Sequence, residues 1–300
     1  MDLARQIDIY CERVGAAFWA EPLNALTNLA FVAAGIAALW LQGRTGGAGP
    51  RRELTAGALM AAGLIAGFAH TIGLLWALGA GPLYTPLVLP AYAVSMLFVG
   101  AGLCAMPRLM ADPAPDWAVA WLAGNAVVVG IGSFLFHTYA TPWAGFADTG
   151  PIMLFIFGYF AVAMLRFGGL GRGAAAAATL GFLAASVLLS RGISSGLGPY
   201  AGPSAGYYPA LVGLLAVGLW LDIGRGHAAG GQLIRAAGLF AASLGFRSVD
   251  GPLCDWLPIG THWLWHLCNG LLFWLLLRAV VRHGPVPLRQ AAAAALRAAA

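Results

Sequence analysis

The chain has 300 residues, of which 60% are hydrophobic and 9% charged, against about 25% charged in an ordinary soluble protein. So few charges cannot cover a soluble surface of this size, and 11 Trp, 15 Phe and 8 Tyr exclude a disordered chain. The net charge of +5 comes from 16 basic residues, all Arg, with no basic run or aromatic-interleaved patch suited to nucleic acid; the class is an all-α, polytopic transmembrane helical bundle.

Asp2, Arg5, Asp8, Glu12, Arg13 and Glu21 precede the first long apolar run. No cleavable signal peptide is therefore expected, and that run is read as a retained anchor. Residues 1–22 form an acidic N-terminal segment, 23–283 the bundle, and 284–300 an Ala- and Arg-rich tail. A crossing needs about 20 mostly apolar residues. Nine stretches qualify, near 23–42, 54–79, 83–106, 117–139, 148–167, 174–190, 207–223, 233–247 and 261–282. The sixth and eighth are short and rich in Ala and Gly. Nine crossings put the N-terminus and the loops after the even-numbered spans on one side. That side carries four Arg (Arg5, Arg13, Arg191, Arg247) and seven of the eleven acidic residues, while the other twelve Arg fall opposite. Arg collects in cytoplasmic loops, so the N-terminus is expected outward (periplasmic or lumenal) and the C-terminus in the cytoplasm.

Ionisable groups within spans are costly and are functional candidates by default. His262 and His266 stand four apart at the head of the last span, so one helix face presents both imidazoles to the bundle interior. Two core histidines bonded to backbone carbonyls would show the same spacing. Ser133 and His137 repeat it at the end of the fourth span, and Asp148 follows at the entry of the fifth. A lone Ser in a membrane helix usually bonds its own backbone, and a lone Asp at a span entry is often an N-cap. The predicted topology nonetheless brings all five to one layer near the outer face. His70, His227 and His283 do not join them. Three His with an open fourth position is the arrangement of a catalytic zinc site.

Three blocks carry a resemblance to a known family. They are Tyr10-Cys11-Glu12-Arg13 with Phe18-Trp19-Ala20-Glu21-Pro22-Leu23-Asn24-Ala25-Leu26-Thr27-Asn28; Ser133-x3-His137-x10-Asp148; and Gly260-Thr261-His262-x3-His266. In this order the chain resembles the alkaline ceramidases, seven-helix membrane hydrolases grouped with the adiponectin receptors. The blocks and their flanks cover roughly a third of the chain. The resemblance implies zinc ligands at His137, His262 and His266, and a catalytic pair at Ser133 and Asp148. Zinc lowers the pKa of a water to about 7. Asp148 would accept the water's proton and later help protonate the leaving amine, and Ser133 would stabilise the developing oxyanion or hold the water.

The same resemblance implies calcium in the N-terminal segment, where Asp8, Glu12 and Glu21 are the matching carboxylates. The match is imperfect, since Ile9-Tyr10 replaces an Asp-Trp pair and Val14 stands where a side-chain oxygen would be expected; a solvated acidic segment is the alternative. The helix count also departs from the family, with two extra spans near 54–79 and 83–106. An even number of added spans leaves every later helix in its orientation. Of the four Cys, Cys104 and Cys268 fall within spans, whereas Cys11 and Cys254 share the outward, oxidising side and can form a disulfide.

The site residues predict a zinc-dependent membrane amide hydrolase, and the resemblance implies that it cleaves ceramide or a ceramide-like N-acyl lipid into a fatty acid and a long-chain amino alcohol. The lipid bilayer and its lipid substrate are the expected partners. Two other readings use the same residues: a lipid receptor or binding protein with a structural zinc, and a transporter relaying protons through buried His and Asp.

Overall fold

The computed structural model describes residues 2–45, 48–79, 114–201 and 204–283. These form helices and no strand: α1 Pro22–Thr27, α2 Leu29–Thr45, α3 Pro50–Gly79, α4 Trp117–Tyr139, α5 Pro142–Arg166, α6 Arg172–Ala201, α7 Tyr208–Leu219, α8 Ala229–Leu253 and α9 His262–His283. A π-helical turn, Trp220–Gly224, extends α7. Among the described residues six stretches are long and apolar enough to cross a membrane: Pro22–Thr45, Pro50–Gly73, α4, α5, Arg172–Gly196 and α9. The protein is a multi-pass helical membrane protein. The expected span at 83–106, with Cys104, and the tail at 284–300 lie outside the described residues.

Several expectations change in detail. The first span is two helices, broken at Asn28. The seventh is a shorter apolar helix, Tyr208–Gly224. The eighth lies within α8, which is 25 residues long but is not among the six apolar stretches, because Arg235, Arg247 and Asp250 dilute it. The fifth starts earlier than expected, at Pro142, with Thr141 as N-cap. A proline at the first helical position has its φ preset and no N–H to lose, so the helix begins there and Asp148 sits nearly two turns inside it.

The packing follows small residues more than large ones, because lipid supplies no hydrophobic force between helices and close backbone approach has to replace it. α4 is the central helix, 72% buried along its apolar window, whereas α6 is 6% buried and lies at the periphery. α4 packs on α2, α3 and α5; α9 packs on α2 and α8; and α6 touches α5 and α7. At Gly132 of α4 an added Cβ would fall 1.8 Å from the carbonyl oxygen of Ala147 in α5. That carbonyl would ordinarily accept from the N–H four residues on, but the position is Pro151. The two helices therefore meet backbone to backbone, which sets Ser133 against Asp148. Below this contact, Phe155 and Phe273 stack with centroids 3.9 Å apart, and Tyr159 Oη donates to the Leu276 carbonyl at 3.1 Å, fixing α5 to α9.

Candidate metal centre

The site lies at the bundle end where α1, α5 and α9 begin and α4 and α8 finish. The N-terminal segment folds across this end: Ile7 N–H donates to the Ala140 carbonyl at 2.7 Å, and Leu3 and Tyr10 are buried. The segment is tied to the bundle at these points, while Asp2, Asp8 and residues 14–19 are exposed. Cys11 and Cys254 are joined in a disulfide, which ties this segment to the end of α8.

Three charged side chains close the helix ends around the site, each with the sign the helix dipole favours. Glu12 accepts from the N–H groups of Leu23 at 2.6 Å and Asn24 at 2.8 Å, at the start of α1. Asp250 Oδ1 accepts from Thr261 N–H at 2.6 Å and His262 N–H at 2.9 Å, at the start of α9, and its Oδ2 accepts from Cys11 N–H at 3.2 Å. Gly260, at φ +61°, permits this: a Cβ there would be 2.2 Å from Asp250 Oδ1. Arg13 donates to the carbonyl of His137 at 2.8 Å, in the last turn of α4.

His137, His262 and His266 are all buried, and one nitrogen from each lies within 4.8 Å of the others. No other group of three or more His, Cys, Asp or Glu side chains gathers in this way among the described residues. The hydrogen bonds fix two tautomers. His137 Nδ1 lies 2.6 Å from Glu21 Oε2; an ionised carboxylate only accepts, so Nδ1 carries the proton. His137 Nε2 is left as a lone pair, buried and without a partner. His266 Nδ1 lies 3.0 Å from Thr27 Oγ1, whose one proton is directed to the Leu23 carbonyl at 2.7 Å. The hydroxyl therefore accepts from Nδ1–H, and Nε2 is again the free nitrogen. The His262 ring is held by Tyr10, which stacks on it with centroids 3.7 Å apart and planes 23° from parallel. Free imidazole nitrogens with the opposite nitrogen hydrogen-bonded are what a metal ligand requires, and the Glu21–His137 pair is the carboxylate–histidine support common at such centres.

Glu21, expected as a calcium ligand, is engaged by groups of the chain itself. Both oxygens are occupied, one by an ion pair with Arg13 and the other by His137 and by Asn24 Nδ2 at 3.0 Å. Burial raises its pKa, but the bonds from His137 and Asn24 and the charge of Arg13 outweigh burial and hold it below the usual carboxylate range. Glu12 moves the other way, raised by burial against the pull of its two backbone donors. Asp8 is exposed. Asp8, Glu12 and Glu21 are not gathered around one point, and the cation that Glu21 faces is the chain's own Arg13.

Ser133 is buried beside the Asp148 carboxylate, whose Oδ1 is buried without a hydrogen-bond partner. Both line a cavity of about 40 Å³ together with His262, His266 and Arg247. A water needs roughly 10–15 Å³, so there is room for an ion and one or two waters. An apolar cavity of about 70 Å³ between α5, α7, α8 and α9 shares Ile156, Phe240 and Phe273 with it. His70, His227 and His283 stand apart from the triad, as the sequence indicated, with His283 Nε2 2.7 Å from Gln232 Nε2 at the far end.

Sequence reasoning passed over Arg13, Tyr10, Asp250 and Arg247 as site residues. Arg247 had an available signal as a charge at the end of an expected span, and Tyr10 and Arg13 stood in the first block of the resemblance. No family model, curated protein or solved structure matches the chain.

Proposed function

We propose that the protein is an integral-membrane, zinc-dependent amide hydrolase acting on a ceramide-like N-acyl lipid. The observation that supports this best is the three-histidine centre, with His137 and His266 hydrogen-bonded through Nδ1, set beside Ser133 and Asp148 in a cavity adjoining an apolar one. His137, His262 and His266 would hold the metal. An all-imidazole set suits zinc, which lowers the pKa of a water to about 7 and polarises a carbonyl.

The chain's own groups supply the remainder. Asp148, which lines the cavity and has an unpartnered Oδ1, accepts the proton of the attacking water. The new C–O bond forms first at the acyl carbon, turning its carbonyl oxygen into an oxyanion. Asp148 then returns the proton to the amine nitrogen, and the C–N bond breaks as the carbonyl re-forms. Ser133 donates to the developing oxyanion or orients the water. The products are a fatty acid and a long-chain amino alcohol. The shared Ile156, Phe240 and Phe273 wall lets an acyl chain occupy the apolar cavity while its amide lies at the histidines.

The orientation we propose has the N-terminus outward and the C-terminus cytoplasmic. The Cys11–Cys254 disulfide suits an oxidising compartment, and the Arg distribution agrees.

Tyr10 stacked over His262 favours one second reading, a lipid receptor or binding protein with a structural zinc, since structural sites are closed. Elemental analysis of detergent-purified protein tests the metal: about one zinc per chain, lost in His262→Ala. Fluorescent-ceramide hydrolysis then separates the readings. Bound zinc without turnover of any N-acyl lipid leaves the receptor, and carefully prepared wild type without zinc sinks both.

A further inference from the structure

Arg247 is the one cation facing the cavity among the described residues, and its bonding is incomplete. Its Nη2 donates to Tyr10 Oη at 3.4 Å, and its guanidinium lies over the Tyr207 and Trp265 rings, 5.3 and 5.5 Å from their centroids. Nη1 is buried and has no hydrogen-bond partner. None of the ion pairs Arg13–Glu21, His137–Glu21 and Arg166–Asp116 involves Arg247, and no carboxylate is hydrogen-bonded to it among the described residues. Asp148 and Asp250 are the acids whose charge reaches it. Asp250 is spent on three backbone N–H groups, and Asp148, beside Ser133, lines the same cavity without a hydrogen bond to Arg247. A buried guanidinium donor left open is costly unless something occupies it, and a planar, singly charged carboxylate is the group its fork fits best. A phosphate would bring a second negative charge up to Asp148.

We propose that Arg247 anchors a carboxylate. The cavity beside the histidines takes single-chain amphiphiles with an anionic head, the head on Arg247 and the alkyl chain past Ile156, Phe240 and Phe273 into the apolar cavity. The amide-hydrolase reading supplies two sources for such a head: the fatty-acid product, or an acidic substituent on the amine side of the substrate, as in an N-acyl amino acid. The binding itself does not depend on turnover.

The test is equilibrium binding of radiolabelled palmitate, hexadecanol and N-palmitoylglycine to the full chain in detergent. It is run on chelator-treated protein, so that no metal competes for the acid. The expected result is palmitate binding at least tenfold tighter than hexadecanol in wild type. That preference disappears in R247Q, with hexadecanol binding unchanged, and survives in part in R247K. Equal binding of acid and alcohol by wild type, or an undiminished preference in R247Q, overturns the proposal. If R247Q also loses hexadecanol, R247K decides: a retained preference supports the anchor, and hexadecanol binding without preference overturns it. N-palmitoylglycine binding tighter than palmitate assigns the anchor to the substrate head, and weaker binding assigns it to the product. Acid binding in a protein that hydrolyses no N-acyl lipid sinks the enzyme and leaves the anchor standing.

Discussion

Glu21 and His137 are 116 residues apart in the chain, and their Oε2 and Nδ1 atoms are 2.6 Å apart in the fold. This contact sets the His137 tautomer and so decides which nitrogen is offered to a metal. Loss of such outer-shell partners typically costs 10–100-fold in metal affinity. Glu21→Gln is expected to weaken zinc binding by about that factor in chelator competition, while Glu12→Gln, which weakens a helix cap outside the triad, has a smaller effect. Equal effects of the two variants would remove the orienting role.

Gly132 and Gly145 make a matched pair for helix packing. A methyl group at Gly132 meets the Ala147 carbonyl at 1.8 Å, whereas at Gly145 its nearest neighbour is Phe136, at 3.5 Å. Overpacking of this kind costs about 1–3 kcal/mol or more, so Gly132→Ala should lower the thermal midpoint in detergent and pull Ser133 from Asp148. Gly145→Ala should be neutral or gain up to about 1 kcal/mol from helix propensity.

Asp250 closes the start of α9 and Gly260 makes room for it. Asp250→Asn retains a capping oxygen but loses the charge, at an expected cost of about 0.3–2 kcal/mol. Gly260→Ala meets both the 2.2 Å contact and the left-handed φ, so it should be the more damaging of the two by thermal unfolding.

Cys11 follows Tyr10 directly, so the disulfide holds the ring that covers His262. Reduction, or Cys11→Ala, should shift gel mobility and shorten the time a chelator needs to strip the metal. Tyr10→Ala should shorten it as well with the disulfide intact. Stripping rates that ignore all three changes would mean that the N-terminal segment does not limit access.

Asp148→Asn should keep the metal and lose about 10²–10⁴-fold in kcat, the range for a positioned acid or base. Ser133→Ala should lose about 10²–10³-fold if its hydroxyl serves the oxyanion. Zinc content measured on the same samples separates chemical loss from loss of the centre.

Much of this protein is decided locally, and the sequence alone determined that part. Nine charged residues per hundred force the chain into a membrane, and apolar runs of crossing length place most of the helices. His262 with His266, and Ser133 with His137, share faces because four residues make about one helical turn. The boundaries at Pro142 and Asn28 slipped because caps and breaks depend on one or two residues rather than on a run.

What surrounds the triad was decided only by tertiary structure. Glu21, Asp250 and Arg13 look like solvated loop charges in sequence, and their partners lie 116, 11–12 and 124 residues away. Tyr10 and Arg247 meet over a separation of 237 residues. No periodicity encodes such pairs. They form because charges buried at a helix end must find an opposite dipole or a hydrogen bond, and only the assembled bundle determines which partner is within reach.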